Sequence, residues 1–117
     1  MALTGAVLAV LLAVVMASSA VAKLRRQPDV EESLDRAEVA RPLRPVLAGV
    51  ELVGSLGLVA GIWVRWAGVA AAVGFFVYFV LAIVAHLRAG EIRGVSVPFV
   101  LALIAGATAL LWGTEAA

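Results

Sequence analysis

Four apolar stretches dominate the chain, at 3–22, 46–64, 67–87 and 95–112, with polar residues gathered in the short connections between them. A helix that crosses a bilayer needs about 20 predominantly apolar residues, and each stretch has or approaches that length. Runs such as AVLAVLLAVVMA and ALIAGATALLW do not alternate, unlike the roughly 10-residue strands of a membrane barrel. The pattern predicts an all-α, polytopic four-helix membrane bundle, with 1–117 as a single transmembrane domain. Ala20, Val21 and Ala22 resemble a signal cleavage site, but no basic segment precedes the run and it exceeds an ordinary signal core of about 7 to 15 residues. It is therefore expected to remain as the first span.

The connection at 23–44 is the one sizeable polar segment. Pro28 and Asp29 followed by Glu31, Glu32 and Asp35 resemble a helix start with acids at its positive end. A short amphipathic helix there would turn Val30, Leu34, Ala37 and Val39 to the bilayer surface, the alternative being a solvated charged loop. Pro42 and Pro45 close the segment, Pro45 suiting the first position of the second span. Arg65 and Trp66 almost alone separate the second and third spans, which must be antiparallel neighbours.

Composition agrees with the pattern. The 117 residues are 64% hydrophobic and 15% charged, with a mean hydropathy of +1.11, whereas soluble domains are roughly 45 to 50% apolar. A net charge of +1 gives no reason to propose nucleic acid as a partner. The absence of cysteine excludes disulfides, thiolate metal sites and thiol relays. Eight of the nine Lys and Arg residues lie in the first and third connections, leaving Arg65 in the second. The positive-inside rule then predicts a multi-pass protein of the cell membrane with those connections cytoplasmic and both termini external. Trp63, Trp66 and Trp112 would mark the opposite membrane face, where indole rings favour the headgroup region.

Small residues suggest close helix packing. Gly54, Gly57 and Gly61 fall within about 60° on the second helix, and Gly57 with Gly61 has the GxxxG spacing that lets backbones approach. Ala9, Ala13 and Ala17 on the first span, Gly68, Ala72 and Gly74 on the third, and Ala102 and Gly106 on the fourth offer similar surfaces.

Glu51 carries the most chemical information. It lies inside the second span, where a carboxylate is costly in lipid and an ionisable group is a functional-site hypothesis by default. Lys23 ends the first span, Glu51 lies about 9 Å along the second from Pro45 at 1.5 Å per residue, and His86 ends the third, so all three approach one face. Glu51 shares its side of the helix with Ser55, Lys23 with Ser19, and His86 with Phe79. Glu51, His86 and Lys23 form a candidate acid/base cluster, and Glu51, Ser55, Ser19, Phe79 and Tyr78 a candidate ligand pocket. Lys23 and His86 also suit the blander role of interfacial residues with snorkelling side chains. One histidine and one nearby carboxylate are too few for the usual metal sets, so no metal is expected.

SSAVAKL at 18–24, LAGVELVGSLGLVAGIWV at 47–64, VYFVLAIVAHLRAGE at 77–91 and VPFVLALIAG at 97–106 resemble the DoxX-like small membrane proteins. The likeness covers nearly the entire chain. Its ordered landmarks are matched by Lys23 after the first span, Glu51 in a glycine-rich second, His86 closing the third and Pro98 opening the fourth; the first connection is more densely charged than the family pattern. The resemblance implies an accessory membrane subunit or assembly factor, since the family takes its name from a small subunit of a thiosulfate:quinone oxidoreductase, and other members are linked to oxidative-stress complexes or receptor assembly. Expected partners are the lipid bilayer, a protein partner or a second copy of the chain, and a lipophilic small molecule such as a quinone. The alternative is an intramembrane enzyme with Glu51 as general acid or base on a lipophilic substrate. A proton or small-molecule carrier ranks last, because the outer half of the spans has almost no polar lining.

Overall fold

The computed structural model describes residues 2–116, the side chains of 2, 115 and 116 excepted. Its elements are α1 (Ala2–Leu24), α2 (Pro28–Arg36), α3 (Leu43–Ala60), α4 (Arg65–Arg88), a 3-10 turn (Ile92–Val95) and α5 (Ser96–Ala116). No strand occurs among the described residues. α1, α3, α4 and α5 are long and apolar enough to cross a membrane, and α2 is the short helix expected in the first connection.

The four spans form a ring in chain order. α1 packs on α3, α3 on α4, α4 on α5 and α5 back on α1. Each span lies beside its predecessor, as in an up-and-down bundle. Boundaries shift where turns compete with hydropathy. The second span begins at Leu43, with Pro45 inside its first turn, and ends at Ala60 because residues 61–64 make the reversal into α4.

A narrow core of Ala9, Leu12, Ala13, Met16, Leu58, Ala72, Phe75, Phe79, Ala102, Ala105 and Trp112 runs down the axis. Val14, Leu56, Leu81 and Leu103 are among the many exposed aliphatic side chains around it, the outward belt that lipid requires. The sequence argument for Gly57 and Gly61 holds: a Cβ on Gly57 would stand 2.9 Å from Ala71 Cβ, and one on Gly61 would stand 2.5 Å from Gly68 Cα. α3 and α4 therefore meet backbone to backbone. Gly74, by contrast, has nothing within 4 Å of a would-be Cβ and is exposed, so it belongs to no close contact.

Two expectations are corrected. Trp63 and Trp66 are exposed beside the α3–α4 reversal, but Trp112 is 1% exposed and inside the bundle. Gly5, Gly61 and Gly68 make the slot for its ring, since a Cβ on any of them would collide with the indole. The second correction concerns the first connection. α2 ends at Arg36, so Ala37 and Val39 lie beyond it; Ala37 is buried, and Val30, Leu34 and Val39 are partly buried against the protein. The cause is Arg44, only 6% exposed. Its guanidinium donates to Asp35 at 2.8 Å, to Glu31 at 3.1 Å and to the Val39 carbonyl at 2.8 and 3.2 Å. Glu31 and Asp35 are one turn apart on one face of α2, which this pairing fastens to the start of α3. Arg36 and Glu91, 3.8 Å apart, link the first and third connections at the same end of the bundle.

Candidate functional site

Ser19 and Lys23 sit one turn apart on the α1 face that packs on α3, and the buried face of α3 presents Glu51 to them. Lys23 Nζ lies 3.0 Å from Glu51 Oε1 and donates to Oε2 at 3.1 Å. It also donates to Ser19 Oγ at 2.8 Å, and Ser19 Oγ donates to Oε2 at 3.1 Å. Lys23, Ser19 and Glu51 thus close a triangle, in which the carboxylate side chain is 1% exposed and that of Lys23 10%. From α4, the Tyr78 phenol approaches the same carboxylate without making a well-directed hydrogen bond to it.

The triangle leaves Oε1 under-used. Despite its closeness to Nζ, it accepts no well-directed hydrogen bond among the described residues. A buried acceptor in this state forfeits much of the stabilisation that a charge-assisted hydrogen bond provides.

Aromatic rings floor the cluster. Phe75 and Phe79 stack with centroids 5.9 Å apart, and Tyr78 meets them edge-on at 6.4 and 5.6 Å. Phe75 also lines an apolar groove of about 470 Å³ between α3 and α4, together with Gly49, Val50, Val53, Gly54, Ala71 and Gly74. Gly54 permits this ring position, since a Cβ there would strike Phe75. At the opposite edge of the cluster, Lys23 helps to line a polar cavity of about 180 Å³ with Leu24, Arg26, Glu31, Arg41, Arg44 and Pro45.

The remaining candidates take other positions. Ser55 is buried beside Glu51, but its hydroxyl donates to the Glu51 backbone carbonyl at 2.8 Å, one turn back. His86 packs against Gly94 of the 3-10 turn, and its Nδ1 is buried without a hydrogen bond among the described residues. Depth explains the separation from Glu51. Eight residues from Leu43 put Glu51 about 12 Å inside α3, whereas His86 lies about 3 Å from the end of α4 and Tyr78 about 15 Å. Tyr78 therefore matches the carboxylate in depth, and the same arithmetic applied to the sequence favours it over His86. Arg44 is the residue that sequence reasoning missed. Its available signal was the one-turn spacing of Glu31 and Asp35 upstream of an arginine at the mouth of a span.

No group of three His, Cys, Asp or Glu side chains close enough to hold a metal occurs among the described residues. Comparison with curated proteins and with solved structures finds no match. The four-span architecture agrees with a family model that matches residues 7–108: the chain is a multi-pass membrane protein that belongs to the DoxX-like family.

Proposed function

We propose that the protein is an accessory membrane subunit whose bundle holds the polar head of a lipophilic small molecule at Glu51, Lys23, Ser19 and Tyr78. The observation that carries this reading is Glu51 Oε1, buried and lacking a well-directed hydrogen bond beside two proton-donating side chains. A ligand hydroxyl can donate to that oxygen, and a ligand carbonyl can accept from Lys23 Nζ or the Tyr78 phenol. A quinol and its quinone offer these two complementary faces, which makes a quinone-type head a suitable occupant beside a redox partner. The groove lined by Phe75 supplies an apolar track for the tail. In this reading Lys23 and Glu51 orient the head, Ser19 holds Lys23 in place, and the connections flanking the cluster face the cytoplasm.

The test is purification in mild detergent followed by mass spectrometry of co-eluting proteins and of the organic extract. The expected result is a stoichiometric lipophilic molecule in the natural protein, lost from Glu51→Leu while that variant still elutes as a folded species, and a protein partner retained by both. No enriched small molecule, or equal amounts in the natural protein and Glu51→Leu, would overturn the binding role and leave Lys23–Glu51 as a structural ion pair.

A further inference from the structure

The polar cavity between the end of α1 and the start of α3 has a charge balance that the bundle does not settle. Its walls carry Lys23, Arg26, Arg41 and Arg44 against Glu31. Lys23 is matched by Glu51, and Arg44 by Glu31 and Asp35. Arg26 and Arg41 form no ion pair among the described residues, and both are exposed at the rim. Two guanidinium groups therefore border one concave site, and with Arg44 facing two carboxylates the group keeps one net positive charge.

We propose that this cavity binds a phosphate-type anion, the headgroup of an acidic phospholipid. Guanidinium groups bind phosphate oxygens in pairs through a planar fork, so two of them at one rim suit that group better than a halide. Arg44, held by four hydrogen bonds, gives the site a fixed wall. The lipid source follows from depth. The cavity lies where the spans α1 and α3 begin and end, at the level of the headgroups, and the half-exposed Leu24 and Pro45 provide an apolar lip for acyl chains. None of this depends on the ligand proposed at Glu51.

The experiment reconstitutes the full chain in phosphatidylcholine nanodiscs containing a minor fraction of phosphatidylglycerol and counts retained lipids by native mass spectrometry. Arg26→Gln/Arg41→Gln should lower the preference for phosphatidylglycerol roughly tenfold, the scale set by juxtamembrane basic residues at an anionic surface. Arg88→Gln/Arg93→Gln removes the same charge at the same end but outside the cavity, and should lower the preference clearly less than the cavity pair does. Displacement of phosphatidylglycerol by inorganic phosphate would support the same anion site open to a soluble ligand. Lack of displacement, with the Arg26/Arg41 effect intact, would support the lipid. An equal loss in both variant pairs, no loss in either, or equal displacement by chloride at matched ionic strength would overturn the proposal.

Discussion

Removing Lys23 should harm the bundle more than neutralising Glu51, because the two charges have unequal escape routes. In Lys23→Met the carboxylate stays about 12 Å inside α3 with Ser19 as its remaining hydrogen-bond donor, and its short side chain cannot reach water. In Glu51→Gln the amide still accepts from Ser19, while the lysine, already 10% exposed, can swing its ammonium toward the headgroups. Breaking a buried pair by removing one partner costs about 3 to 5 kcal/mol. The partial exposure of Lys23 places its replacement near the lower limit, about 3 kcal/mol, and Glu51→Gln near 1.5 kcal/mol, a hydrogen-bond-sized loss. The double variant carries no uncompensated charge and should lose no more than about 2 kcal/mol, a coupling of roughly 2 to 3 kcal/mol. Unfolding in mixed micelles titrated with a denaturing detergent and followed by circular dichroism measures all four proteins. Additivity to within about 0.5 kcal/mol, the behaviour of independent sites, would refute the reasoning, as would a Glu51→Gln loss larger than that of Lys23→Met.

Other expectations test the packing and the topology. Gly61→Ala and Gly57→Leu should each destabilise the bundle by about 1 to 3 kcal/mol through overpacking, whereas Gly49→Ala, with open space at its Cβ, should be nearly neutral; equal thermal stability of all three in detergent would contradict the α3–α4 contact. Arg44→Met should release α2, seen as faster proteolysis and amide exchange across 28–39, and an unchanged digestion pattern would mean that the Glu31 and Asp35 contacts do not hold the helix. Because the chain has no cysteine, single Asp35→Cys and Glu115→Cys variants can report orientation. An impermeant reagent added outside cells should label position 115 in preference to 35, and the reverse order would invert the proposed topology.

The spans were legible because lipid demands the same apolar composition of every lipid-facing residue, so hydropathy alone located them to within a few residues. That Lys23, Glu51 and His86 approach one end was legible as well, but the sequence left Lys23 and His86 as equal candidates to partner Glu51, and the α1–α3 contact decides for Lys23. What composition hid was the depth and direction of single side chains. His86 has the right face but stands near the end of α4, against Gly94. Trp112 has the sequence position of an interfacial tryptophan, yet Gly5 on α1, Gly61 just past α3 and Gly68 on α4 open a slot that exists only once the helices are assembled. Arg44 looked like one more basic residue beside a membrane face, and its two acids like a helix start. Only the fold brings them within 3.1 Å.

The arrangement of the ion pair also bears on how the protein is made. α3 has the lowest mean hydropathy of the four spans and carries the buried carboxylate, which makes it the hardest segment to commit to lipid. Its counter-ion lies upstream, at the end of α1, which synthesis delivers before α3. Glu51 therefore emerges after its partner, an order that lets the reluctant α3 insert beside a counter-ion already made.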